Sequence, residues 1–277
     1  MSIKGNAMIA TYSVSQWTAR KLDKKITEEV RTTHSASDDA GRYNKLLVAK
    51  EHTEAISKTA NKARVFHYEN TLPWGDQGER LLPTNNYFEY IGEMGKLKSE
   101  FDSAVSDFLS NYDRVIAEAK IRLNGMFRES DYPTRLEIEH KFGFRTSFMP
   151  VPDSDFRVGL ADSEVDKLRA DVEQEITNRI SAAKAEIWAR IKNQLSRMKE
   201  RLTDNEAIFR DSLFENLGDL LDVLPRLNVT NDAEVNDVCR EMKSLMVAPE
   251  LVRSNPRLRL EKAQEVTALM NKFEGWF

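Results

Sequence analysis

Asp131–Val158, DYPTRLEIEHKFGFRTSFMPVPDSDFRV, is the one long stretch of this chain without a helical repeat, and its reading decides the fold. Tyr132-Pro133 halts the helix before it, because the proline ring disfavours helical backbone at the preceding residue. Pro133 then opens a short helix from an Asp131 cap, where its missing N–H costs nothing, and this helix runs to about Lys141. Beyond it, Phe142, Phe144 and Phe148 lie on or near an alternation with Gly143, Arg145 and Ser147, the period of a strand. Pro150-Val151-Pro152 holds the chain extended, Asp153-Ser154 is turn chemistry, and Asp155–Val158 returns as a second strand. The expectation is a β-hairpin tongue over 131–158. A lone two-stranded hairpin is marginal in water, so its aromatic side chains should pack on neighbouring helix ends or on a partner.

Helical patterns run into and out of the tongue. Thr84 caps a helix with apolar residues at Tyr87, Ile91, Met94, Leu97, Phe101, Val105, Phe108, Tyr112, Val115, Ala119 and Leu123. The steps are three and four, which gives a helix of about 60 Å, with Gly92 and Gly95 allowing an early bend. Ser163 caps a second helix, whose stripe runs from Val165 and Leu168 through Ile176, Ile187 and Leu195 to Leu202. Its mean step of about 3.7 implies little supercoiling, or a slight right-handed one. Two long helices joined by a compact tip fold back most simply as an antiparallel pair. The expected fold class is therefore mainly α: a long antiparallel helical hairpin with a small β-hairpin tongue at its tip, packed on a bundle of shorter helices. The expected segments are 1–83 (N-terminal helices and a Trp/Gly/Pro loop), 84–202 (the hairpin) and 203–277 (the C-terminal bundle). A second apolar edge, including Phe88, Leu109, Ile116 and Trp188, must meet other helices or another copy.

Elsewhere, Met8–Tyr12 reads as a strand or an extended arm. Ser13 or Ser15 caps a first helix carrying Val14, Trp17, Leu22, Ile26 and Val30, and a weak second stripe spans about 40–65. Residues 68–83 read as a loop anchored by Trp74. In the C-terminal part, one helix ends at Pro225, another runs from a Thr230 or Asn231 cap to about Val247, and Pro256 opens the last. The final Trp276-Phe277 is either a docking peptide or a terminus folded onto its own bundle.

Charged residues make up 31% of the 277, apolar residues 40%, and the net charge is −4. That balance suits a helix-rich protein and argues against a generally basic nucleic-acid binder. The single cysteine, Cys239, precludes an internal disulfide and falls in an apolar stripe, as a buried inert thiol would. No leader or membrane span is expected, which places the chain in the cytoplasm. Histidines 34, 52, 67 and 140 lack zinc spacing, and His140 beside Glu137 and Glu139 reads as a surface residue. No nucleophile elbow, Walker loop, dinucleotide fingerprint or paired-cysteine motif is present. No catalytic residue, cofactor or metal is expected, so the chain reads as non-enzymatic.

Two groups offer nucleic-acid chemistry. Phe142, Phe144, Phe148 and Phe156 lie beside Lys141, Arg145 and Arg157, the residue types that stack and neutralise single strands. Lys184, Arg190, Lys192, Arg197, Lys199 and Arg201 are opposed within their segment only by Glu186 and Glu200. Glu137, Glu139, Asp153 and Asp155 keep the tongue from being a basic funnel.

Asn111-Tyr112-Asp113, Gly125-Met126-Phe127, Asp131-Tyr132-Pro133, Lys141-Phe142, Phe148–Pro152 and Asp155–Val158, with Ser15–Lys21 near the start, resemble domain-of-unknown-function family 3150 of phages and integrative elements. The resemblance is specific around the tongue and loose in the helices. It implies a mobile-element origin and an association with a MoxR-type AAA+ ATPase or a von Willebrand A-type protein, and it supplies no catalytic residues. The functional expectation is a self-associating helical adaptor with the tongue as its recognition tip. The alternative is a single-stranded-DNA-binding or annealing accessory in phage recombination.

Overall fold

The computed structural model describes residues 3, 5–152, 162–204 and 210–276. The described residues are 67% helical, with a four-stranded antiparallel sheet. In order, the elements are β1 (Ala7–Ser15), β2 (Arg20–Leu22), α1 (Lys24–His34), β3 (Asn44–Leu46), α2 (Glu51–Glu69), β4 (Leu72–Pro73), β5 (Glu79–Pro83), α3 (Tyr87–Ser110), α4 (Tyr112–Leu123), α5 (Arg135–Glu139), β6 (Gly143–Pro150), α6 (Asp162–Thr203), α7 (Ser212–Leu227), α8 (Ala233–Lys243), α9 (Pro249–Ser254) and α10 (Pro256–Lys272).

The mainly helical character stands, but the long antiparallel hairpin with a β-hairpin tip is corrected. Three local causes account for the difference. The stripe over 84–123 is continuous in sequence, yet the helix breaks at Asn111 (φ −98°, ψ 4°) into α3 and α4. The Asn111 side chain donates to the Asp107 carbonyl at 2.8 Å, which competes with helical continuation. The alternating phenylalanines do form a strand, β6, but it joins a sheet of order β4-β5-β1-β6 and pairs with the N-terminal β1. The expected return strand, Asp155–Val158, lies outside the described residues. Finally, α6 packs along α10 and α7.

The chain forms two compact units. The first comprises Met1–Thr11, His67–Ile91 and Ser147–Phe277. Its core joins Leu195, Met198 and Leu202 of α6 to Leu217, Leu221 and Leu224 of α7, Val238 and Met242 of α8, and Val266 and Leu269 of α10. Leu72, Trp74 and Leu81 enter the same core from the segment expected to be a loop. That segment contains β4 and β5, antiparallel with Leu72 opposite Leu81, and β5 pairs with β1 so that Ile9 faces Leu81. The turn between them uses Gly78 at φ +91°, a conformation that favours glycine. Pro256 opens α10 behind an Asn255 cap that accepts from the amides of Arg257 and Leu258. Trp276 stacks on Trp188 at 5.5 Å and 19°, so this end of the chain lies on its own bundle.

The second unit comprises Tyr12–Phe66 and Gly92–Thr146. Its buried residues include Leu47, Ile56, Ala60 and Ala63 near and along α2, Leu97, Phe101 and Phe108 of α3, Tyr112 and Val115 of α4, and Ile138 of α5. The first helix expected from Ser13 or Ser15 begins only at Lys24, because β1 runs to Ser15 and Ala19 takes φ +52°. Asp23 caps α1 and accepts from the Ile26 amide. The expected second helix starts late, at Glu51, because Asn44–Leu46 pair with β2. Thr134, rather than Asp131, caps α5, in a capping box with Glu137.

Candidate functional site

The tongue's aromatic residues are placed as packing groups. In the second unit, Phe142 meets Phe108 at 5.7 Å. Phe144 is buried, edge-on to Tyr12 at 5.1 Å and beside Phe101 at 5.7 Å. Arg145, between them and β6's end, is exposed. In the first unit, Phe148 lies against Tyr87 at 5.6 Å and Tyr90 at 6.1 Å. Phe156 and Arg157 lie outside the described residues.

The basic segment of α6 is divided by use. Lys184 pairs with Asp232 at 3.0 Å. Arg190 spreads its guanidinium over the end of α2, donating to the carbonyls of Tyr68 and Glu69, each at 2.7 Å, and of Thr71 at 3.0 Å, while its Nε meets Glu186 at 3.0 Å. The Tyr68 and Glu69 carbonyls at the helix end lack intrahelical partners, and a forked cation satisfies several acceptors at once. Lys192 and Arg197 are exposed.

Sequence reasoning missed what lies beside them. A row of rings in the first unit runs Phe88, Tyr87, Phe148, Tyr90, His67 and Tyr68, with neighbouring centroids 5.4 to 6.1 Å apart. Arg80 closes one end, 4.5 Å above the Tyr68 ring. It donates to the Thr71 hydroxyl at 2.8 Å and the Thr71 carbonyl at 2.9 Å. Burial, with the charge of Arg80 added, pushes His67 down to about 4, so the ring is neutral at pH 7. The other end of the row is open. Phe88 is 83% exposed, and Ile91, one turn on along the same face of α3, is also exposed. The only sequence signal was the second apolar edge, of which Phe88 was one member; its Trp188 is covered by Phe273 and Trp276.

In the second unit, the Lys45 ammonium is buried between Asp131 at 2.6 Å and Asp23 at 3.2 Å, and donates to the Met126 carbonyl at 2.8 Å. Burial alone would raise both carboxyls. The Ile26 amide and Lys45 at Asp23, and Lys45 and Lys21 at Asp131, outweigh it and hold both below the usual carboxylate range. Nothing in the spacing of Asp23, Lys45 and Asp131 marked them as a group. A cleft of about 620 Å³ lies between α2 and α3–α4, lined by His52, Thr59, Ser99, Ser103 and Arg114 among others. His52 meets Glu118 at 3.0 Å. Glu118 also accepts from Arg114 at 2.6 Å, so the histidine's acidic neighbour is already shared.

Cys239 is buried, and burial pushes its thiol up to about 11, far from thiolate chemistry at pH 7. Among the described residues, no three His, Cys, Asp or Glu side chains converge as metal ligands. No helix among them is long and apolar enough to cross a membrane. No protein-family model, curated protein or solved structure matches the chain.

Proposed function

We propose that the chain works by binding other proteins, as a self-associating helical adaptor of a phage or mobile element and an accessory to a MoxR-type AAA+ ATPase. The observation that carries the binding role is Phe88. A phenylalanine left 83% exposed, with an exposed Ile91 on its face of α3 and a chain of packed rings behind it, is a rigid apolar anchor. Isolated exposed apolar residues are ordinary. An exposed aromatic next to a packed row is the kind of residue that dominates interfaces, because its large apolar surface is desolvated on binding. The ATPase is named from the family resemblance; the anchor is named from geometry. Phe142, Phe144 and Phe148 of the tongue pack within their own units, so this reading puts the anchor at Phe88.

The test is affinity capture of a purified MoxR-type ATPase by the full chain and by its Phe88→Ser, Ile91→Ser variant. The reading expects capture by the wild type and at least a tenfold loss in the variant. Equal capture by both, with native helicity, contradicts it.

A further inference from the structure

The helix α1 sets an unusual problem. It has eleven residues, and none of them is buried. A helix that short is marginal without tertiary packing, yet this one is held firmly at its start. Asp23 caps it, the Thr27 hydroxyl donates to the Asp23 carbonyl at 2.7 Å, and the same Thr27 oxygen accepts from the Tyr43 amide at 3.0 Å. The Asp23 amide donates to the Tyr43 carbonyl at 2.9 Å. Behind Asp23 stands the buried Lys45 pair. The anchoring therefore fixes the Tyr43 backbone against α1 while the residue stays 41% exposed.

Between α1 and the 36–43 segment lies a cleft of about 250 Å³. Val30, Ala36 and Ala40 give it an apolar wall, Tyr43 an aromatic rim, Arg31 and Arg42 its charge, and His34 an imidazole; among the described residues, none that line it is a carboxylate. Arg31 is tied outside the lining to Glu28 at 3.1 Å and to Asp38, whose side chain is 96% exposed. The Arg31 Nε is buried and has no acceptor among the described residues. Arg42 is exposed, and so are Lys24 and Lys25 on the first turn of the same helix.

We propose that this cleft holds one nucleotide of a single-stranded nucleic acid, with the base against Tyr43 and its phosphate met by Arg42, Arg31 and His34. The flat ring offers a stacking face that any base fits, and the cations match a phosphate in place of the Asp38 carboxylate. Lys24 and Lys25, exposed at the start of α1 ahead of the equally exposed Glu28 and Glu29, are the further cations that a strand's neighbouring phosphate would meet and a free nucleotide would not. The site shares no residue with the Phe88 face, so its failure and the failure of the adaptor reading are told apart by different variants.

The experiment is fluorescence anisotropy of a fluorescein-labelled oligothymidylate of about 15 nucleotides, titrated with the full chain at ~50 and ~200 mM salt. Binding at low salt is expected, with a log–log salt slope of about −1.5, as for two phosphates. Arg42→Ser with Tyr43→Leu should weaken binding at least tenfold, whereas Tyr43→Phe should keep it. Arg42→Ser alone, at an exposed position, should weaken binding and lower the salt slope, and this result stands even if the double variant fails to fold. Absence of binding by the wild type, or equal binding by a folded Arg42→Ser, overturns the proposal. Equal competition by polyglutamate reassigns the cleft to acidic peptides. Equal competition by thymidine monophosphate reassigns it to free nucleotides. Either of these also overturns it.

Discussion

The Nδ1 atom of His67 lies 2.7 Å from the Tyr90 hydroxyl, with both side chains buried. The pair couples a neutral histidine to the open aromatic row, and it makes stability depend on pH. The unfolded chain protonates His67 near its ordinary value of 6.5, but the fold resists protonation until about 4. Below 6.5 the unfolded state therefore binds the extra proton, so this contribution is complete above 6.5 and is lost as pH falls toward 4. It amounts to roughly 3 kcal/mol across that window. Denaturant midpoints taken between pH 7 and 4 should fall in the wild type and flatten in His67→Phe; parallel curves would contradict the assignment.

Lys45 should be among the costliest single positions in the second unit. Lys45→Met leaves Asp23 and Asp131 facing each other without their shared cation. Breaking a buried pair this way costs about 3–5 kcal/mol. Because both carboxyls are held low in the fold, the wild type should also lose stability as pH falls below about 4 through the range in which they protonate. Chemical denaturation of the variant measures the first effect, and an acid titration of the wild type the second.

Phe144→Ser should destabilise the protein by about 3–5 kcal/mol, as core aromatic truncations do. The ring is packed between Tyr12 and Phe101. Phe88→Ser, at an 83% exposed position, should leave stability within about 0.5 kcal/mol. Thermal melts of the two variants compare them directly, and equal losses would mean that Phe88 is a packing residue.

Arg190→Lys should fail to rescue Arg190→Ala. The guanidinium reaches three carbonyls at once. A single ammonium lacks that fork, so both variants should lose about 1–3 kcal/mol. Amide hydrogen exchange over 66–71 localises the loss; full rescue by lysine would show that charge alone matters there.

Helix existence and core phase were legible. Of the expected stripe, Met94, Leu97, Phe101, Phe108, Tyr112, Val115 and Ala119 are buried, because a 3.6-residue repeat needs nothing beyond the helix itself, whereas Ile91 is exposed. Where pairing partners are distant in sequence, the reading ran out. Phe142–Phe148 carried a strand pattern, but periodicity cannot tell that its neighbour is β1, more than a hundred residues away. The break at Asn111 was hidden because the apolar stripe continues across it; only a local side-chain hydrogen bond decides it. The basic residues were legible as charge and not as function. Whether Arg190 faces solvent or a helix end depends on where α2 stops, and that end was placed several residues early. Phe88 stood in the second apolar edge, but its exposure follows from what fails to cover it, which no single-chain pattern records.

The claim that the chain self-associates through the Phe88 face is tested most directly by light-scattering mass of the purified full chain across a concentration series, beside Phe88→Ser, Ile91→Ser. The account predicts a wild-type mass that rises above one chain to a defined multiple, and a folded variant that stays at one. A wild type that stays at one chain throughout, or a variant that assembles as the wild type does, would contradict it.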